Sequence, residues 1–276
     1  MVPRAGGQDP SPVVARRVVS IVPALTEALF AIGAGPLVVG VSRFDQFPPE
    51  VKALPSVGAL LDPNTERILS LRPDLVIAYG SQSDLQTQLG RAGIRTFSYR
   101  HDGIATILDT IAELGTATGR QADAARVVAG LRARLDAVRA RVAGRDRPRT
   151  LLVFERQPGS LREVYASGGV GFLHEMLEIA GARNVFADVA RESVQPSVET
   201  LLARAPEVII EVRAAGLIEG VGAGDTRESW SVLASVPAVR TGRIHLLTGD
   251  YLVVPGPRLA DATEAFARAL HAEAYE

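Results

Sequence analysis

Arginine residues lie at or just after the ends of four runs of sequence that are typical of β-strands. They are Arg43, Arg100, Arg156 and Arg213. A guanidinium group binds carboxylates and phosphates through paired hydrogen bonds, so two or more of these arginines converging would favour an anionic ligand. The alternative is that each arginine is a solvated charge at the rim of a sheet.

The remaining reactive residue types do not form a recognisable catalytic or metal site. His101, His174, His245 and His271 lie far apart and share no three- or four-residue spacing that would direct two imidazoles at one ion. The chain has no cysteine, which excludes thiolate ligands, disulfides and cysteine nucleophiles. No feature selects a pair of carboxylates for acid–base work. These residues therefore select no enzymatic chemistry, and a two-lobe cytosolic enzyme is kept as the class that competes with a non-enzymatic carrier.

Length and composition indicate a two-lobe globular protein. The chain has 276 residues, of which 47% are apolar and 22% are charged, and this is enough to build two lobes of ordinary size. A net charge of -1, with both signs scattered along the sequence, gives no electrostatic footprint for nucleic acid. The sequence therefore gives no indication of a polyanionic partner.

Strand and helix patterns alternate twice along the chain. This alternation predicts an α/β fold with two Rossmann-like lobes, each built on a mainly parallel sheet. The predicted strands are Arg17–Val22, Leu37–Ser42, Leu75–Gly80 and Arg95–Arg100, then Thr150–Phe154, Val164–Ser167, Val208–Val212 and Ile244–Leu247. The predicted helices are Thr26–Ile32, Thr65–Leu71, Leu85–Arg91 and Ile104–Leu114, then Phe172–Ile179, Val198–Ala203, Ser229–Ser235 and Leu259–Leu270.

A single long helix is predicted between the two halves. Arg120–Val142 contains no proline, and its valines and leucines recur at three- and four-residue steps between arginines. A helix of this length spans roughly 35 Å, more than one small lobe needs. We expect a rigid connector over residues 119–146, an N-terminal lobe over 17–118 and a C-terminal lobe over 147–276.

An internal repeat relates the two halves. Glu66–Ile77 matches Glu199–Ile210 in its pattern of glutamate, apolar residues, proline and a closing apolar run, with an offset of 199 − 66 = 133. Val18 and Leu151, at the starts of the first strands, are separated by the same offset. Two related lobes are thus predicted, with the ligand in the crevice where their strand ends face each other.

Ten short motifs follow one another in a fixed order over residues 17–271. They are Ser20–Glu27, Gly33–Gly35, Val39–Ser42, Phe47–Pro49, Val57–Gly58, Asn64–Ile68, Leu71–Val76, Leu177–Asp188, Gly249–Asp250 and Pro255–Arg258. This ordered set resembles a known family, the helical-backbone periplasmic substrate-binding proteins of ABC importers for cobalamin, haem and ferric siderophores, and the resemblance is greatest to its cobalamin-binding branch.

The resemblance implies a role for the repeated glutamates. In this family a glutamate on each lobe docks onto arginines of the membrane permease, and the matching positions are Glu66 and Glu199. The simpler interpretation is that a carboxylate in the first turn complements the helix dipole, as in many helices. Their equivalent places in both halves favour docking.

The resemblance also implies which residues line the ligand cleft. They are Phe44, Leu60, Tyr79, Tyr165, Ser193 and Tyr251, with Pro23 and Gly80 allowing close backbone approach. Cobalamin binders of this family present several aromatics here, including tryptophans, whereas this chain has Leu60 and Ser193 at two such places and its one tryptophan, Trp230, elsewhere. The implied ligand is cobalamin, or alternatively haem or a ferric siderophore. For haem, Tyr79, Tyr99 and His101 are candidate iron ligands.

The start of the chain bears on location. Residues 1–16 are rich in proline and glycine and predict a flexible leader, without the apolar stretch of a secretion signal. We therefore expect either a cytosolic protein or an exported one whose signal has been removed. The resemblance favours a periplasmic or otherwise exported monomer, which would meet the membrane only through its permease.

Overall fold

The computed structural model describes residues 14–213 and 223–276. These residues form two compact units. Unit 1 contains the chain up to Arg100 together with Asp109–Val128, and unit 2 contains His101–Leu108 and Ala129–Glu276. Among the described residues, no helix is both long enough and apolar enough to cross a membrane.

Unit 1 is built on a four-stranded parallel sheet in the order β2-β1-β3-β4. The strands are β1 (Val18–Ser20), β2 (Val38–Val41), β3 (Leu75–Tyr79) and β4 (Arg95–Tyr99). The helices are α1 (Pro23–Ala31), α2 (Thr65–Ser70) and α3 (Ser83–Arg91). Strands β1, β2 and β3 are largely apolar on both faces because helices cover a parallel sheet from both sides, and one cluster of buried side chains joins β1 and β3 to α2 and α3.

Unit 2 contains a mixed sheet in the order β10-β9-β5-β6-β8, with β7 paired to β5. Strands β10, β9, β5 and β7 run parallel, whereas β6 pairs antiparallel with both β5 and β8. The strands are β5 (Arg149–Glu155), β6 (Tyr165–Ser167), β7 (Arg183–Asn184), β8 (Ser193–Val194), β9 (Val208–Arg213) and β10 (Ile244–Thr248). The helices are α6 (Phe172–Ile179), α7 (Val198–Arg204), α8 (Ala223–Ser231), α9 (Pro237–Arg240) and α10 (Leu259–Leu270).

Two consecutive helices carry the chain between the units. They are α4 (Ile104–Thr118) and α5 (Gln121–Val142), and α5 is the predicted connector. At 22 residues α5 is about 33 Å long. Its apolar stripe is buried, and Arg134 on the same helix lies 2.7 Å from the carboxylate of Asp261 in α10. The predicted α/β class, with two mainly parallel sheets joined by a long helix, is confirmed.

The repeat includes strands of both sheets, but the offset between the first strands of the two units differs by one residue from the offset between the helices. Val19 pairs with Val76 in unit 1, and Leu151 pairs with Ile209 in unit 2. Val76 and Ile209 are 133 positions apart, but Val19 and Leu151 are 132 apart. The offset of 133 predicted for the first strands is therefore wrong by one, because unit 2 has one more residue between its strand and its helix.

Other differences from the predicted elements are local. The predicted helix Ser229–Ser235 is shifted to α8, and Pro237 begins the separate short helix α9. Strands β7 and β8 have two residues each, too few for an alternating pattern to reveal them. Most of the predicted leader lies outside the described residues. Ala15, also assigned to the leader, is buried and its N–H donates to the carbonyl of Ala117 at 2.8 Å.

Candidate functional site

The carboxyl edge of the sheet in unit 1 carries an exposed aromatic and an exposed leucine. Phe44 follows β2 and is 60% exposed, and Leu60 is 39% exposed. The guanidinium carbon of Arg43 lies 5.1 Å from the centre of the Phe44 ring. Its Nη1 atom is 2.6 Å from Asp62 Oδ2. The guanidinium of Arg43 is therefore paired with Asp62 at the surface. A surface ion pair contributes little to stability, so a ligand anion can replace Asp62 as the partner of Arg43.

Tyr79 and Gly80 close β3 at the same edge. The backbone N–H of Tyr79 donates to Gln82 Oε1 at 3.0 Å, and Gln82 Nε2 donates to the carbonyl of Leu60 at 2.9 Å. Gln82 thus ties the loop that carries Leu60 to the end of β3, a role that the sequence did not reveal. A Cβ atom at position 80 would lie 3.1 Å from Nε of Arg100. Glycine there leaves room for the exposed side chain of Arg100.

A buried carboxyl group lies in the same region. Asp45 is 7% exposed, neither of its carboxyl oxygens has a hydrogen-bond partner among the described residues, and burial raises its pKa to about 7. The nearby charge of Glu27 adds to the rise in the Asp45 pKa. Burial and the charge of Asp45 in turn raise the pKa of the Tyr79 phenol. Sequence patterns do not reveal such a group, because Asp45 lies in an irregular segment.

Pro23 occupies the first position of α1, immediately after β1. Its fixed backbone angle suits a helix start, and its missing N–H would have no partner there. It is partly buried at the same edge of the sheet as Phe44 and Tyr79.

The guanidinium of Arg156 in unit 2 is buried in an ion pair with Glu211. Its Nε atom lies 3.0 Å from Glu211 Oε2, and both side chains are 1% exposed. Its Nη1 atom donates to the carbonyls of Gln157 and Ser160, each at 3.1 Å. Trp230 Nε1 donates to the same Glu211 oxygen at 3.1 Å. Arg156 stays a predicted cleft residue, and its guanidinium is held in a buried ion pair.

Arg213 belongs to the same cluster. Its Nε atom donates to Glu211 Oε1 at 2.8 Å, and its Nη2 atom also contacts that oxygen. A further bond links Nη2 to Thr226 Oγ1 at 3.3 Å. Two of the four strand-end arginines, Arg156 and Arg213, therefore donate hydrogen bonds to one buried glutamate, Glu211, whose role the sequence did not reveal.

A small apolar pocket of about 240 Å³ lies within unit 2. His101 and Phe172 meet edge to face with ring centres 6.5 Å apart, and His101 Nε2 lies 3.2 Å from Glu192 Oε2. Ser193 is the one expected cleft residue that lines it. The full lining consists of His101, Phe154, Val170, Gly171, Phe172, Leu173, Glu192, Ser193 and Val253. Sequence reasoning missed Phe172, although the preceding glycines mark a strand-to-helix turn.

Tyr165 and Tyr251 lie near other aromatic and cationic groups of unit 2. The ring of Tyr165 is 6.5 Å from that of Phe154, which lines the pocket. Tyr251 lies in a short 3-10 turn, and the guanidinium carbon of Arg258 is 5.8 Å from its ring centre. Both tyrosines are partly exposed.

Glu66 and Glu199 occupy equivalent positions on two short helices. Each is the second residue of its helix, α2 or α7, and each is exposed. The helices begin alike, because Asn64 accepts the N–H of the third helical residue at 2.9 Å and Ser197 does so at 3.2 Å. A hydrogen bond from the Ser197 hydroxyl lowers the pKa of Glu199, which keeps this carboxylate ionised.

The family model described as "Periplasmic binding protein" matches residues 18–251. Over 93% of its length the chain is 32% identical to 90% of a vitamin B12-binding protein of Salmonella typhimurium. It is 28% identical, over 95% of this chain and 82% of the relative, to the uncharacterized ABC transporter substrate-binding lipoprotein YvrC of Bacillus subtilis.

A solved structure extends the comparison to the fold. The match to the periplasmic heme-binding protein RhuT from Roseiflexus sp. RS-1, in apo form, covers 94% of this chain and 99% of RhuT. The TM-score is 0.79 and the sequence identity is 27%. Family model, relatives and fold agree over nearly the whole length. The chain therefore belongs to the periplasmic binding protein family.

Proposed function

We propose that this protein is the substrate-binding component of an ABC importer, and that it captures cobalamin or a related corrinoid and delivers it to a membrane permease. The observation that carries the proposal is the pair of equivalent, exposed glutamates on α2 and α7. The ligand class is supported by the relative named as a vitamin B12-binding protein, which is similar over 93% of this chain.

The exposed apolar groups supply the ligand surface in this proposal. A corrinoid presents a broad ring system, and aromatic side chains bind such faces through apolar contact and stacking. Phe44, Leu60 and Tyr79 provide this surface on unit 1, while Tyr165 and Tyr251 provide it on unit 2. Arg100 is exposed and makes no ion pair within the part of the chain that the structure describes, so it is the arginine best placed to meet a ligand anion.

Haem is the second candidate, and His101 is the observation that favours it. Its imidazole lines an apolar pocket beside Phe172, and imidazole is a common iron ligand. The solved heme-binding neighbour has the same fold. A ferric siderophore remains a third member of the same ligand class.

The proposed role needs binding and release only, so we infer a carrier rather than an enzyme. It acts as an exported monomer that reaches the membrane through the permease. The relative named as a lipoprotein supports an exported location.

Isothermal titration with cyanocobalamin, haemin and a ferric siderophore tests the ligand proposal. The expected result is one saturable site with micromolar or tighter affinity for cyanocobalamin, equivalent to about -8 kcal/mol or better. Stronger binding of haemin would select the second candidate. The absence of binding to all three would contradict the proposed ligand class.

A further inference from the structure

The two helices that carry Glu66 and Glu199 also expose one leucine each. Leu69 is 39% exposed and Leu202 is 40% exposed. Their separation, 202 − 69 = 133, is the offset of the glutamates themselves. The residue before each leucine, Ile68 or Leu201, is buried in its own unit. Each helix therefore attaches to its core through one apolar residue and leaves the next one in solvent.

Each leucine shares a helix face with the glutamate three positions before it. Residues at this spacing are neighbours on a helix surface, with Cβ atoms about 5–6 Å apart. Glu66 with Leu69, and Glu199 with Leu202, thus form two copies of one mixed surface, acidic at one end and apolar at the other. We call each copy a Glu-Leu patch.

Single exposed leucines are common on protein surfaces and need no function. The leucines of the two patches differ from the other exposed large apolar residues in being matched between units. Val232, for example, is 73% exposed, but the residue 133 positions earlier is Tyr99, which is buried. Among the exposed large apolar residues of the part of the chain that the structure describes, Leu69 and Leu202 are the one pair at this offset.

Arg17 holds the C-terminal end of α2 through hydrogen bonds from its backbone and its side chain. The backbone N–H of Arg17, just before β1, donates to Asp74 Oδ1 at 3.1 Å. The Arg17 guanidinium donates through Nη2 to the carbonyl of Leu71 at 2.7 Å. Arg72, the next residue, adopts the left-handed conformation with φ of 48°. These contacts join the end of α2 to the sheet.

Arg149 makes equivalent contacts at the C-terminal end of α7 in unit 2. The backbone N–H of Arg149 donates to Glu207 Oε2 at 2.8 Å, and its guanidinium donates to the carbonyl of Arg204. Ala205 repeats the left-handed conformation with φ of 42°. Both Glu-Leu patches are therefore presented on anchored helices, so a partner would order little of the backbone when it binds.

We propose that Leu69 and Leu202 are apolar anchors of the permease-docking surface, each filling an apolar depression about one helical turn from the basic group that meets Glu66 or Glu199. This inference rests on the proposed function. The carboxylates match cationic groups by charge, and the leucines add contact area that remains when salt screens the charges. A partner with basic groups but no adjacent depressions would bind weakly.

The test measures binding of the protein to the permease–ATPase complex of its importer, reconstituted in lipid nanodiscs. Leu69→Ala and Leu202→Ala should each weaken binding by roughly 10-fold, because each removes an apolar group that becomes buried in the complex. The double variant should weaken it by about 100-fold, since separated sites act independently. Val232→Ala is the matched exposed control and should bind as the parent does.

Two further measurements separate docking from folding. Leu69→Met with Leu202→Met should retain binding, because methionine keeps the apolar volume. The alanine variants should keep the parent's urea unfolding midpoint and cyanocobalamin affinity. If the double alanine variant docks like the parent while Glu66→Arg with Glu199→Arg fails to dock, the anchor role is overturned and the proposed function stands. If neither double variant is impaired, both proposals fall.

Discussion

Arg156 and Glu211 form a buried ion pair, with Nε and Oε2 3.0 Å apart and both side chains 1% exposed. Trp230 and Arg213 donate to the same carboxylate. Water cannot replace a lost partner at this depth, so the pair and its hydrogen bonds must be kept or removed together. The cluster therefore stabilises unit 2 at the ends of β5 and β9.

The first prediction concerns the removal of one partner from this pair. Arg156→Met leaves the buried Glu211 carboxylate with Arg213 as its remaining arginine partner, and we expect the free energy of unfolding to fall by about 3 kcal/mol. Urea unfolding followed by the fluorescence of Trp230, the only tryptophan, measures this.

Arg43→Met is the matched control, because Arg43 pairs with Asp62 at 2.6 Å while both side chains are about half exposed. Its cost should stay below about 1 kcal/mol. Equal effects for the two variants would show that burial of the Arg156–Glu211 pair does not determine its contribution.

The second prediction concerns the dependence of stability on pH. Asp45 has a pKa of about 7 in the folded protein, against the ordinary value of 3.8. Between these values the folded protein retains a proton that the unfolded chain has lost. The free energy of unfolding contributed by Asp45 therefore falls as the pH rises through this window, by on the order of 4 kcal/mol in full.

Asp45→Asn keeps the uncharged shape and removes the titration. The variant should be more stable than the parent at about pH 8, and the two should differ little at about pH 3.5, where Asp45 is protonated in both the folded and the unfolded state. Urea unfolding at both pH values measures the difference, with the exposed Asp62→Asn as control. Glu27 and Tyr79, the groups coupled to Asp45, remain in both proteins. If the free energies of unfolding of the parent and of Asp45→Asn changed with pH by the same amount, the raised pKa of Asp45 would be contradicted.

The third prediction concerns the ligand surface of unit 1. Phe44 is 60% exposed, so it stabilises the fold little and is free to stack on a ligand. Phe44→Ala should weaken cyanocobalamin binding by about 10-fold without lowering the urea midpoint. Val232→Ala removes a comparably exposed apolar side chain and should leave affinity unchanged. Unchanged affinity in Phe44→Ala would place the ligand elsewhere.

The α/β class and the repeat could be predicted from the sequence because both depend on periodic patterns. Apolar runs between helical patterns identify a parallel sheet, and the apolar stripe of Arg120–Val142 identifies α5. The predicted helix Thr26–Ile32 begins three residues after the true start of α1 at Pro23, because the apolar pattern alone does not mark a proline as the first helical residue. Short strands such as β7 lack enough residues to form a pattern.

The partners of individual charges could not be predicted in this way. Arg100 and Arg156 both follow a strand, yet Arg100 is exposed whereas Arg156 is paired with a glutamate 55 positions away. The sequence places both at the same kind of position, and only the packing of β5 against β9 brings Glu211 beside Arg156. Asp45 is likewise recognisable only once the neighbours that bury it are known.

Binding to the reconstituted permease–ATPase complex after charge reversal tests the central claim most directly. Glu66→Arg with Glu199→Arg should reduce docking at least 100-fold and leave cyanocobalamin affinity unchanged, because both carboxylates are exposed and opposite charge becomes like charge at the contact. Glu113→Arg with Glu228→Arg reverses one exposed helical glutamate in each unit and serves as the control. Docking of the Glu66→Arg, Glu199→Arg protein at the parent's affinity would contradict delivery through these two residues.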